Sequence, residues 1–222
     1  MSVLPKVENQ TLHARVYQEL RNAIIRGHFA PGEVVTIRRL AAELGTSVMP
    51  VREAIHRLIS ERAIEMQGSR SMRIALLTRE KIEDLIKVRS MIEPEAVYLA
   101  AERIGEEDIL ELEVLNRKLV KAILHGNVDD KLLANRAFHF AVYRIAASPM
   151  LLQVIDSLWL QSGPYLQSLF ASAGRFREEL GTEYINDELI EAFRRGDAEL
   201  AKRVRQQDIR LSAAWYLDHL DA

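Results

Sequence analysis

At 222 residues the chain is long enough for two modest domains with real cores. It contains no cysteine, which excludes disulfides and cysteine–zinc centres. The net charge of −2 hides an asymmetry. Residues 1–77 carry 11 Lys+Arg against 7 Asp+Glu, an excess of +4, and the remainder carries 19 against 25, an excess of −6. A basic head on an acidic body suits a chain that docks one end on phosphate. The opening MSVLPKVENQ lacks the apolar core of a signal peptide, and no run approaches membrane-spanning length, so a cytoplasmic protein without membrane contact is expected.

Residues 11–27 read as a helix with Leu12, Val16, Leu20, Ala23 and Ile24 inward and Gly27 as its stop. A turn at Phe29–Gly32 and a short strand at Val34-Val35 follow. In TIRRLAAELGTSVMPVREAIHRLIS, Ile37, Leu40, Ala41 and Leu44 form the apolar stripe of one short helix, which Gly45 stops in a left-handed conformation. Ser47 is placed to cap a second helix, with Pro50 in its first turn. That helix buries Val51, Ala54, Ile55 and Leu58 and leaves Val48, Met49, Arg52, Glu53, His56 and Arg57 outside. Two short helices on a tight glycine turn, the second showing arginines outward, is the helix-turn-helix layout. Ile64-Glu65-Met66 and Met72-Arg73-Ile74 read as two strands of a wing around Gly68–Ser71, with Arg70 at its tip.

The order R-x-L-A-x-x-L-G-x-S followed by P-V-R-E-A is carried by Arg38, Leu40, Ala41, Leu44, Gly45, Ser47, then Pro50, Val51, Arg52, Glu53 and Ala54, with Leu58 four residues on. It resembles the DNA-binding domain of GntR-superfamily repressors, and the rest resembles their FadR-type (FCD) branch. The resemblance implies a homodimer reading a palindromic operator in double-stranded DNA. The DNA contacts expected are Arg38, Arg39, Ser47, Val48, Met49, Arg52, Arg57 and Arg70. Relatives often carry arginine where this chain has Val48, so Val48 or Met49 is expected at a thymine methyl instead.

Leu76-Leu77-Thr78 reads as a linker, dividing a head of residues 1–77 from a body of 78–222. The body shows amphipathic segments at 79–104, 106–125, 129–146, 149–171, about 175–195 and 197–220, with Gly163-Pro164 expected to break or kink the fourth. Six or seven helices make an antiparallel bundle, so the fold class is mainly α, a winged helix-turn-helix followed by a helical bundle.

Four of these segments show polar residues on apolar stripes. Arg89 and Glu93 share a stripe with Ile82, Leu85, Ile86, Ile92, Ala96 and Leu99. Either they form an internal salt bridge or Arg89 faces a cavity and takes a carboxylate bidentately. Asn135 and His139 align with Leu132 and Val142, Asn186 with Leu189 and Phe193, and Asp208 with Leu200, Val204, Leu211 and Trp215. Such a cluster inside a bundle indicates a solvated pocket, because each unpaired polar group costs roughly 1–3 kcal/mol. Many FCD domains bind a divalent metal through an aspartate and three histidines. The resemblance puts those positions at Asn135, His139, Asn186 and Asp208, of which His139 alone is unchanged. No tightly bound metal or cofactor is expected, with His139 and Asp208 as weak candidates for one.

The expected function is a ligand-responsive transcriptional repressor whose effector is a small organic anion held by Arg89 and Glu93 with Asn135, His139, Asn186 and Asp208. Two alternatives stand beside it. One is a metal-dependent helical hydrolase using His139 and Asp208. The other is an architectural DNA-binding protein without an effector, whose body would be fully packed.

Overall fold

The computed structural model describes residues 12–67, 71–76, 78–171 and 185–218. The chain forms two compact units, one of residues up to Leu76 and one from Leu77 onward, with Ile25–Gly27 grouped with the second.

The first unit begins with α1 (Leu12–Ile25) and β1 (Val34–Val35), followed by α2 (Ile37–Glu43) and α3 (Val48–Ser60), then β2 (Ile64–Gln67) and β3 (Ser71–Ile74). Thr36 caps α2 by accepting from Arg39 N at 3.3 Å. The helix closes in a Schellman pattern, with Thr46 N donating to Ala41 O and Gly45 N to Ala42 O. Gly45 has φ +62°, the left-handed conformation that turn requires. Leu40, Ala41, Val51, Ala54, Ile55 and Leu58 are buried between the two helices and their neighbours. The three strands form an antiparallel sheet in the order β1-β3-β2, with Val35 opposite Met72 and Met66 opposite Met72 on its other side. Pairing β1 with β3 ties the entry to the motif to its exit, a long-range contact that local patterning does not report. The wing's tip, Arg70 included, lies outside the described residues. Leu12, expected inward, is exposed, because α1 turns Val16, Tyr17, Leu20, Arg21 and Ile24 to the core instead.

The second unit holds six helices among the described residues. They are α4 (Arg79–Ala101), α5 (Glu106–His125), α6 (Val128–Ile145), α7 (Pro149–Ala171), α8 (Ile185–Arg194) and α9 (Ala198–Asp218). Thr78 caps α4 by accepting from Lys81 N. Asn127 and Asp130 form a reciprocal capping box on α6. Gly196, at φ +65°, lets α8 end and Asp197 cap α9 through Leu200 N at 2.8 Å. Phe138, Val142, Tyr143, Ile155, Leu160, Leu189 and Val204 belong to the buried centre of the bundle.

One expectation needs correction in part, since α7 does not break at Gly163-Pro164 but runs on to Ala171. Proline removes one ladder hydrogen bond, but Leu160, Tyr165, Leu166 and Leu169 are buried on both sides of it, and that packing carries the helix through. The glycines at 174 and 181, read as punctuation of the next helix, lie outside the described residues, and the helix there is described only as Ile185–Arg194. No described helix is long and apolar enough to cross a membrane.

Candidate functional site

Two places carry chemistry, one in each unit. On the first unit the outer face of α3 presents Val48 and Met49, the latter 58% exposed, together with Arg52, Glu53, His56 and Arg57. The inward stripe of α3 is wholly apolar, so burying it fixes which side chains face out. Ser47 occupies the N-cap position with extended backbone, but its hydroxyl makes no capping bond and is exposed. It is therefore available to an outside acceptor.

The four described arginines expected at this face divide into two pairs. Arg39 donates to Glu43 at 2.8 Å and to Glu33 at 3.0 Å. Arg57 donates to Glu61 at 3.2 Å and stacks its guanidinium on the Tyr17 ring at 3.7 Å. The Tyr17 hydroxyl also donates to Glu61, and burial together with that carboxylate pushes the phenol up to about 12. These two arginines are committed to the fold of the head. Arg38 and Arg52 are exposed and have no hydrogen-bond or ion-pair partner among the described residues.

In the second unit a cavity of about 90 Å3 opens between the helices, and Arg89, Asn135, His139, Asn186 and Asp208 all line it. Five polar residues read from four helical stripes thus converge on one space. Glu93 does not line it. It is fully buried behind the arginines, where it accepts from Arg89 Nε at 2.6 Å, from Arg205 Nε at 3.2 Å and from the Tyr143 hydroxyl. Burial alone would raise the Glu93 pKa, but the two guanidinium groups hold it well below the usual carboxylate range. Arg89 both pairs with Glu93 and lines the cavity. Its Nε is spent on Glu93 and its Nη1 donates to Ser162 Oγ at 3.3 Å, while Nη2 has no partner among the described residues.

Arg205 escapes the stripe drawn through Val204 and Asp208. It is 3% exposed and lines the cavity. Its Nη2 pairs with Glu93, and its Nη1 donates to Asp208 and lies 3.4 Å from His139 Nε2. A stripe drawn through Ala201, Val204, Arg205, Asp208 and Ile209 has the same helical spacing and would have included it. Asn116 was missed as well. It donates to Asp187 at 2.7 Å and accepts from Asn186 at 3.3 Å, fixing the amide at that edge. Trp159 forms part of the wall beneath both arginines, its ring centroid 5.2 Å from Arg89 and 6.0 Å from Arg205. Its indole N–H is buried and makes no hydrogen bond among the described residues.

Burial, with Arg205 beside it, pushes the His139 pKa well below 6.5, so the ring is neutral. Desolvation raises that of Asp208, against the pull of Arg205 and Arg89. The donor set does not fit a divalent cation. His139 and Asp208 converge on the Arg205 guanidinium, Asn135 and Asn186 offer neutral amides, and no three His, Cys, Asp or Glu side chains meet among the described residues.

The comparisons with known proteins agree with this layout. Residues 12–74 match the gntR family of bacterial regulatory proteins, and residues 84–211 match the FCD domain. The chain is 30% identical over 165 residues to the HTH-type transcriptional regulator McbR of Escherichia coli (strain K12), covering 74% of this chain and 75% of that one. It is 31% identical over 147 residues to the HTH-type transcriptional repressor GlaR of the same organism, covering 64% and 67%. The solved structure of E. coli McbR/YncC superposes with a TM-score of 0.82 at 28% identity, covering 94% of this chain and all of that one. These relatives are regulators, so the hydrolase alternative has no support among them. With its helix-turn-helix head and its helical FCD body, the chain belongs to the FadR-type branch of the GntR family and is a DNA-binding transcriptional regulator rather than an enzyme.

Proposed function

We propose that the protein is a homodimeric repressor of the cytoplasm whose affinity for a palindromic operator is set by a small organic anion bound in the body. The observation that carries this is the cavity around Arg89, an arginine 3% exposed that keeps one terminal nitrogen without a partner among the described residues. Guanidinium cannot shed its charge, so a buried donor of this kind stabilises an anion rather than a neutral ligand. An architectural DNA-binding protein would have no use for such a space, and the cavity speaks against that reading. Repression follows the sense of GlaR, a named repressor among the relatives.

At the DNA, Arg38 and Arg52 take phosphate or base edges, since they are exposed and have no partner among the described residues of the head. Ser47 serves a phosphate, and Val48 or Met49 meets a thymine methyl. Arg39 and Arg57 act by shaping this face, and Arg70 on the wing tip adds a contact. One head makes few phosphate contacts, so two heads on a two-fold site supply the affinity. The anion acts by binding one arrangement of the dimer better than another. No tightly bound metal takes part.

The test is a thermal-shift screen of organic acids on the full chain, followed by operator titration with and without each hit. An acid present at ~100 times its dissociation constant adds ~2.7 kcal/mol to the folded state. A hit that stabilises the protein and changes its operator affinity supports the proposal. Stabilisation with unchanged operator affinity removes the regulatory role, and sedimentation of the full chain as a monomer at micromolar concentration removes the dimer.

A further inference from the structure

Resting on the effector reading above, we infer that the ligand is a short monocarboxylic acid, its carboxylate gripped jointly by Arg89 and Arg205 with the Trp159 indole N–H as a third donor and no metal ion between them.

Glu93 ties the two arginines together, accepting from the Nε of each. Both guanidinium groups lie over one ring, that of Trp159, and both arginines line the cavity. Arg89 contributes Nη2, which has no partner among the described residues. Arg205 contributes Nη1, whose carboxylate partner Asp208 is partly exposed where Glu93 is fully buried. Asp208 is therefore the partner that an incoming carboxylate exchanges with. Trp159 lines the same cavity and its buried N–H has no partner among the described residues, so a carboxylate seated there offers it an acceptor.

Charge and size restrict the ligand further. Glu93 balances one guanidinium charge and the carboxylate that displaces Asp208 balances the other, so a monoanion keeps the pair neutral where a dianion brings one charge without a partner. The volume of about 90 Å3 is below the roughly 150 Å3 apolar cavity that takes up benzene. That leaves room for an acid of a few carbons, its tail against Leu119, Ile123, Leu169 and Phe170. His139, the one imidazole of the wall, is turned to Arg205 and is not free to hold a cation.

The experiment measures thermal midpoints of the full chain with sodium propionate and sodium butyrate, using succinate and inorganic phosphate as dianion controls. Each is run with EDTA and with added zinc. The expected result is a concentration-dependent rise for the monocarboxylates, equal in both conditions, with no comparable rise for the dianions. Trp159→Phe keeps the ring and removes the donor, and should weaken propionate binding roughly tenfold or more. Arg205→Gln should abolish it, and Trp159→Phe carries the test if that variant fails to fold. A rise seen only with zinc, an equal rise with succinate, or wild-type affinity in Trp159→Phe overturns the inference. If larger acids stabilise the protein and propionate and butyrate do not, this inference falls while the organic-anion reading stands. If no organic acid stabilises it, both fall.

Discussion

The head and the body use arginine in opposite ways. In the head, Arg38 and Arg52 stand in solvent without partners among the described residues, and nothing in the fold depends on them. In the body, Arg89 and Arg205 are each 3% exposed, and Glu93 neutralises both from behind. An exposed guanidinium keeps its hydration and gives it up at a phosphate, releasing counterions and making binding sensitive to salt. A buried one has lost its hydration during folding, so it is already arranged for an anion and is little screened. The contrast teaches that the same side chain serves a polyanion outside or a small anion inside according to what stands behind it.

The most severe way to break this contrast is Glu93→Ala. Two buried guanidinium groups would lose their shared counter-charge, and the body should lose about 3–5 kcal/mol, read as a lowered urea midpoint. A change under 1 kcal/mol would mean the arginines do not depend on Glu93. Next comes Arg52→Ala, which should weaken operator binding by ~1–3 kcal/mol and leave the thermal midpoint unchanged within error. Repeating the titration across salt concentrations sharpens the point, since a phosphate contact lowers the salt slope by about one and a base contact alters sequence preference.

Acid should act on the body before the head. The His139 pKa is lowered on folding, so the unfolded chain binds that proton first and stability falls as pH drops through the ordinary imidazole range. The Glu93 pKa is also lowered, so its contribution is present above the ordinary carboxylate range and fades as pH falls below it. The raised pKa of Asp208 has the opposite sign and offsets part of the loss. Urea midpoints measured from pH 7 to pH 5 should fall in the wild type and fall less in His139→Gln. The smallest effect belongs to Arg39→Gln, whose exposed pairs with Glu33 and Glu43 are screened by solvent and add little to stability. Operator affinity should change less there than in Arg52→Ala, and an equal loss would place Arg39 at the DNA.

Local rules determined much of this protein. The run from Arg38 to Leu58 dictates two helices, a left-handed glycine and an outward face, because capping, helical period and glycine's freedom are properties of neighbouring residues. The same period put Arg89, Asn135, His139, Asn186 and Asp208 on inward stripes, and they do meet in one cavity. The tertiary structure alone decided the rest. It showed that Arg39 and Arg57 are occupied, since their partners Glu33, Glu61 and Tyr17 come together only when the head folds. It carried α7 through Pro164, because burial on both sides outweighs one lost hydrogen bond. It also brought Arg205 beside Arg89, though 116 residues of chain separate them. A helix's period fixes which residues share a face, but only packing fixes how far that face is buried and what it meets, and here the packing of α9 placed a second arginine on Glu93.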